Sequence, residues 1–485
     1  MKKFIITITA TIMLLVVGCS NITNINTDPK RPATVPAPTL FSSAERSFSN
    51  FMTNTNVNRN IFRLIDQYWT ETTYTDESNY NLVSRAIPDN NWNILYRDVI
   101  KDLSNATTII NNDKTIDPKV KKNELACIEI LNVYAYSELV NIYGNVPYTQ
   151  ALNVKIPNPK YDDANSIYKN LIKRLNSAIG NLDKNAAGFG TADLIYGNST
   201  KFPNQISEWI KFANSLKLKL GITLADADPT LAQSTVESAA ASNNLISSNN
   251  DNALVDYKES PPNTNPVWVD LVQSGRHDFV VANTLINSMN ALNDPRRQFY
   301  FTNPEGLSTY TGGRYGMSNR YSLYTHPSNK LKQPSFPGDL MDYSQVEFYL
   351  SEAAARGYSI PGSAEQHYKN GIRASIQYWG GTADSLFNNY YNQTSVNWTT
   401  APGNYKEKIG MQEWYAMYNR GMTEWTNWRR LDYPKLQAPP NAVSVIPNRY
   451  TYPIEEENLN KANYEAAAHA IGGDKVSTKL FWDKY

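Results

Sequence analysis

The chain has 485 residues, 46 of them basic and 45 acidic, for a formal net charge of +1 at neutral pH. That balance gives no electrostatic footprint for nucleic acid or an acidic surface, and two cysteines cannot build a disulfide framework. The length suits one large domain or two or three intertwined subdomains. Aromatic residues make up 12% of it, with 32 tyrosines, many in polar stretches where a ring with a polar edge suits an exposed contact surface.

At the N-terminus, Lys2 and Lys3 precede an apolar run from Phe4 to Val17, the length of a signal peptide and short for a membrane-spanning helix. Gly18 then stands directly before Cys19. This order of charge, apolar run, small residue and cysteine resembles the lipobox of bacterial lipoproteins, where cleavage leaves the cysteine to carry acyl chains. More than one such chain, at ~0.8 kcal/mol per buried methylene, anchors stably. Residues 1–18 therefore read as a lipoprotein signal peptide, 19–31 as a lipidated tether and 32–485 as the folded domain. Ser20 stands where a common inner-membrane retention signal has aspartate, and no acidic surface-export signal follows. Orientation at the membrane is left open. No second apolar stretch approaches ~18 residues. Cys127, inside a helical apolar pattern, reads as a small core residue.

Helical periodicity then recurs along the chain. It predicts helices over Asn91 to Asn112, through Leu125, Ile128, Leu131, Ala135, Leu139 and Ile142, and through Ile167, Leu171, Leu175, Ile179 and Leu182, with Asp163 or Ser166 as cap. The pattern returns through Ile206, Trp209, Ile210, Ala213, Leu216 and Leu220, through Val346, Tyr349, Leu350, Ala353 and Ala354, and through Ala364, Tyr368, Ile372 and Ile376. Lys406 to Arg430 reads as a further helix, and Asn448 to Pro453 as the best extended piece. Helices joined in pairs suggest degenerate tetratricopeptide-type hairpins, without a strict 34-residue repeat. From about Asn243 to Asp342 the periodicity fades into Pro, Gly, Asn, Ser and Tyr. Its aromatic content argues for ordered loops laid over a helical scaffold.

Catalytic and metal signatures fail in turn. The four histidines His277, His326, His367 and His469 form no H-E-x-x-H pattern. There is no nucleophile elbow and no phosphate-binding loop, and Asp226-Ala227-Asp228 lacks the rest of a calcium loop. Glu455 and Glu456 could serve a glycosidase only at a defined separation across a cleft, which sequence does not supply. No cofactor is called for.

Several stretches in order resemble one family, the SusD/RagB-like outer-membrane nutrient-binding lipoproteins of Bacteroidetes. Asn26-Thr27-Asp28-Pro29 is similar to its N-x-D-P opening. Tyr143-Gly144-Asn145-Val146-Pro147-Tyr148 is similar to its Y-G-D-x-P-Y helix end, with Asn145 in place of Asp. The helix Trp209 to Leu218 matches W-x-K-F-A-N-S-L-K-L, and Tyr343 to Ala353 resembles Y-x-E-x-x-F-x-x-A-E-A with departures at Gln345 and Ser351. Glu424 to Arg430, running on to Tyr433-Pro434, resembles the late E-x-W-x-x-x-R-R segment with different spacing, and Asn448 to Pro453 resembles the R-x-x-Y-P strand. Read physically, these motifs identify the scaffold: Gly144 ends a helix, Trp209, Trp425 and Trp428 pack helices, and Arg429 and Arg430 pair with carboxylates such as Glu424.

The resemblance implies a mostly α-helical fold and a cell-surface binding protein without catalysis, a lid on a SusC-like TonB-dependent transporter in the outer membrane. The lid would capture an oligosaccharide or other nutrient, held through Cys19. The alternatives are a peptide-binding or other nutrient-binding lid of the same class, a lipid-anchored hydrolase, and a scaffold without a small ligand. Sugar rings stack their C–H faces on aromatic rings while their hydroxyls need polar side chains. Two stretches interleave the two, Gln67 to Asn81 and Tyr310 to Tyr321. Trp69, Tyr74, Tyr80, Trp268, Tyr315 and Tyr321 are the candidate rings, Arg314 and Arg320 the polar partners. Gly312, Gly313 and Gly316 would let backbone approach a ligand closely.

Overall fold

Consecutive helices pack on each other as pairs: Pro118–Tyr143 with Ala164–Asn181, Gln205–Thr223 with Pro229–Ala241, Tyr343–Ala355 with Ala364–Tyr378, and Tyr405–Ala416 with Gly421–Leu431. Each pair leans on the next. Ala164–Asn181 packs on Gln205–Thr223, which packs on Tyr343–Ala355, which packs on Tyr405–Ala416. This computed structural model describes residues 35–485, so the signal peptide, Cys19, the whole tether and the Asn26 to Pro29 motif lie outside the described residues.

The chain marks these helices with local chemistry. Asp163, Asn204 and Asp342 accept the backbone N–H of Ser166, Ser207 and Gln345 at 2.8, 2.9 and 2.7 Å. Such caps contribute about 1 kcal/mol each. Gly144 closes the 26-residue helix Pro118–Tyr143 at φ 85°, a conformation costly for any side chain. That helix is long and apolar enough to cross a membrane, more so than its sequence suggested. It is nonetheless a core helix, buried among its neighbours.

Four expectations shift. The run from Asn91 to Asn112 begins earlier, at Ile87, and passes through a π-helical segment, Ile94–Ile100, before Lys101–Asn112. Lys406 to Arg430 is two helices, broken at Met417–Arg420, and Gly421 starts the second one against the backbone of Phe62 and Arg63, where a Cβ would lie 2.6 Å from the Arg63 nitrogen. Asn448 to Pro453 pairs with no strand; Tyr450 donates its N–H to the helix carbonyl of Ile142, at 2.9 Å. Arg430 pairs with Glu352, not Glu424, at 2.9 Å. Arg429 lies over the Trp425 ring, 3.5 Å from its centroid, and donates to the carbonyls of Trp425, Asn141 and Asn448. Glu424 is fully buried with neither oxygen bonded. Burial, then Asp66 and Glu413 nearby, push its carboxyl well up.

The irregular region contains one substantial helix, Asn283–Ala291, and is otherwise pinned by short pairings. Trp69–Glu71 runs antiparallel to Phe279–Val281, Ala253–Val255 to Gly338–Met341, and Phe301–Thr302 to His326–Pro327. Gly313 bridges to Ala282. The loops are thereby tied both to each other and to the early chain. Cys127 is buried and unpaired.

Candidate functional site

The sequence candidates separate into a floor and a face. Trp69, Tyr80 and Tyr315 form the floor, at 1%, 2% and 6% exposure, and cannot offer a ring face to a ligand. Trp69 sits in a strand covered on both sides, and its Nε1–H donates to the Tyr418 hydroxyl at 2.9 Å. Tyr315 donates its hydroxyl to the Leu64 carbonyl at 2.6 Å. Tyr80 lies against Tyr315 and takes a hydrogen bond from Gln67 at 3.2 Å. The glycines also serve the fold. A Cβ on Gly312 would meet the Asn283 Cα at 2.4 Å, one on Gly313 would meet Val280 at 2.5 Å, and one on Gly316 would meet Pro439 at 2.4 Å. The close approach they permit is to their own chain.

Thr72 gathers the face. Its N–H donates to the Asp278 carbonyl at 2.8 Å and its hydroxyl to the His277 carbonyl at 2.7 Å. Its own carbonyl accepts from the Asn319 N–H and the Ser318 hydroxyl at 2.8 and 2.7 Å. One residue thus holds the segment 276–278 and the loop 310–321 beside the loop that carries Tyr74. Tyr74 is 64% exposed. Tyr321, half-buried, is sandwiched between the rings of His277 and His326, with centroids 4.2 and 3.7 Å away. His326 is buried and its ring nitrogen meets the Tyr321 carbonyl at 2.9 Å, so the stack is fixed at its base and exposed at His277. Burial lowers the His326 pKa, favouring the neutral ring.

A groove of about 240 Å³ opens beside this stack, lined by Asn56, Asn58, Arg85, Asp270, Ser274 and Arg276 among others. Arg276 is held by Asp278 at 2.5 Å, which together with its charge raises the guanidinium pKa; Tyr74 adds a smaller electrostatic contribution. Trp268, half-buried, ends the short helix Pro266–Trp268, whose cap Asn265 accepts the Val267 N–H at 2.7 Å. The π-helical turn that follows, Val269–Gln273, carries Asp270 to the groove. Arg314 and Arg320 are exposed and form no ion pair among the described residues.

Beneath the Tyr74 loop lies a carboxyl pair. Burial, then its neighbour Glu77, raises the Glu71 pKa to about 9. Glu71 accepts the Ser78 N–H at 2.8 Å, and Glu77 is gripped by Arg85 at the groove. The loop is therefore tied at its base by Glu71 to Ser78 and by Glu77 to Arg85. Sequence reasoning missed Thr72, Arg276 and His277. The alternation of rings and polar side chains in Gln67 to Asn81 held Thr72, whereas no local pattern in 276–278 announced a site. Among the described residues no group of three or more His, Cys, Asp or Glu is placed to hold a metal ion. Glu456 accepts the Tyr161 hydroxyl at 2.7 Å, a structural use of one member of the Glu455–Glu456 pair.

A family model described as starch-binding and associating with the outer membrane, SusD-like_2, matches residues 29–453. No curated protein matches the chain. Similar solved structures include a chitin-binding protein at 24% identity, covering 93% of this chain and 100% of its own, with a TM-score of 0.79. A chitin-binding SusD homolog from Flavobacterium johnsoniae is 21% identical, with 92% and 98% coverage and a TM-score of 0.78. A SusD homolog from Bacteroides uniformis is 26% identical, with 92% and 99% coverage and a TM-score of 0.75.

Proposed function

The chain belongs to the SusD-like family of starch-binding, outer-membrane-associated proteins, and from that membership we propose that it is a non-catalytic binding protein, anchored through Cys19 at the cell surface, that captures an oligosaccharide for a SusC-like TonB-dependent transporter. The observation that carries the ligand class is the face itself. The exposed His277–Tyr321 stack and Tyr74 stand beside a groove of amide, hydroxyl, carboxylate and guanidinium groups. Flat rings meet the C–H faces of a sugar, and the groove side chains offer the mixed donors and acceptors that hydroxyls require. Tyr74, Trp268, Arg314, Arg320 and Tyr321 remain the proposed ligand contacts, joined by Arg276 and His277.

The test is calorimetric titration of the chain starting after Cys19 with malto-, chito- and xylo-oligosaccharides and with peptides. Starch and chitin oligomers come first because of the family description and the chitin-binding structural relatives. Saturable binding of a glycan, weakened by Tyr321→Ala or Tyr74→Ala at unchanged melting temperature, supports the reading. Peptide binding with all glycans silent refutes it in favour of a peptide lid. Anchoring is checked separately by fractionation: Cys19→Ala should release the protein from the membrane.

A further inference from the structure

Among the described residues a second cavity is larger than the groove. It measures about 600 Å³ and is bounded by the segment 293–298, by Tyr310 and by the helix Asp384–Tyr391. It shares no lining residue with the groove. We propose that it is a second saccharide site, for a neutral, polyhydroxylated ligand; the proposal rests on the glycan reading above and deepens it.

Its chemistry selects that class. Asn293, Gln298 and Asn389 are exposed at the cavity and Gln393 is half-buried in it. Each side-chain amide is both donor and acceptor, the match for a hydroxyl that is also both. Among the described residues nothing bonds the Asn389 amide or the Tyr310 hydroxyl, whereas Gln393 donates to the Leu292 carbonyl at 2.8 Å and keeps its oxygen free. The Tyr310 ring is half-buried, with the Arg297 guanidinium 5.9 Å from its centroid. Charges at the cavity are already engaged. Asp294 is held by Arg296, and Arg297 donates to the Asp294 carbonyl and the Asn290 side chain at 3.0 and 2.7 Å. An anionic ligand would meet a carboxylate and a committed guanidinium; an apolar one would strand the amides.

The walls are cross-linked in advance. Arg296, fully buried, donates to Asp294 on one wall and to Tyr390 on the other, the latter at 3.1 Å, and to Gln412 behind both at 3.0 Å. Asn293 is held at φ 45°, a left-handed conformation that presents its side chain from a tight turn. A site whose supports are locked before binding loses little order when filled. The cavity volume falls in the range of small-ligand sites, roughly 300–1,000 Å³.

The experiment titrates maltoheptaose, chitohexaose and xylohexaose into the chain starting after Cys19, and into Asn389→Ala, Tyr310→Ala with Asn389→Ala, and Tyr321→Ala variants. Asn389 has no bonds to lose, so its substitution leaves the fold intact. The sugar bound by the wild type should lose roughly twofold to tenfold affinity in Asn389→Ala. It should lose at least tenfold, or one of two sites, in the double variant at unchanged melting temperature. Wild-type binding in both cavity variants overturns the second site, whether or not Tyr321→Ala weakens binding, and leaves the glycan function standing. Silence of the wild type towards all three sugars overturns both.

Discussion

Trp69→Ala separates a residue of the site's floor from a ligand contact. The indole is 1% exposed, packs against Phe279 and Tyr418, and lies under the Arg63 guanidinium at 5.3 Å. Truncating a buried tryptophan costs about 3–5 kcal/mol. The Tyr418 hydroxyl also loses its 2.9 Å donor, at about 1 kcal/mol or more. The expected loss is therefore ~4–6 kcal/mol. Unfolding entropy near 2.1 cal/mol/K per residue, over about 450 residues, gives ~1 kcal/mol per degree, hence a melting temperature lower by about 4–6 °C. Trp69→Phe keeps most of the packing and should lose only about 1–2 °C. Scanning calorimetry reads both, and titration with the bound glycan reads affinity. An unchanged melting temperature together with abolished binding in Trp69→Ala would refute the placement of this ring inside the fold.

Three further outcomes follow from particular contacts. Glu352→Gln leaves Arg430, 3% exposed, without the carboxylate it meets at 2.9 and 3.1 Å, and should cost about 3–5 kcal/mol; recovery in Glu352→Leu with Arg430→Met, measured by denaturant unfolding, checks that the loss is a stranded charge. Glu71, raised to about 9 in the fold from 4.5, favours the folded state when protonated, so its contribution is complete below about pH 4.5 and erodes as pH rises towards 9. The slope is at most ~1.4 kcal/mol per pH unit, and Glu71→Gln should flatten it in melting curves recorded across that window. Gly312→Ala drives a Cβ to 2.4 Å from the Asn283 backbone and should destabilise by about 1–3 kcal/mol, seen as faster proteolysis within the loop 310–321.

The scaffold was legible because its helices carry long stripes. Leu125 to Ile142 and Ile206 to Leu220 repeat at three and four residues and fold as helices. Ala37–Thr53 went unread: Phe41, Ala44 and Phe48 lie on one buried side, but the helix follows a polar stretch that masks its start. Asn283–Ala291 has only Leu285, Ile286 and Met289 to bury, too short a stripe to stand out in an asparagine-rich region. The candidate site was half legible. Interleaved rings and polar residues look alike whether a strand is covered on one face or both. Trp69, Thr70 and Glu71 are all buried because Phe279–Val281 pairs with them and Tyr418 lies behind. Tyr74, three residues beyond the strand, escapes that cover. His277 reaches the face only through a partner some two hundred positions earlier, a pairing that local patterns cannot encode.

The bond from Trp69 to Tyr418 has company. Tyr68 donates to the Trp414 carbonyl, Trp414 returns a bond to Asp66, and Arg63 reaches Asn419. Residues near position 66 are thus completed by residues some 350 positions later. Such distant closures make folding slow, because loop entropy must be spent before these contacts reward it. A ribosome releasing the chain from its N-terminus leaves the candidate face unfinished until residues 414–419 have emerged. A truncation before Tyr405 would therefore leave Tyr68 and Trp69 in place but strip them of the helix that carries Trp414 and of the Tyr418 hydroxyl.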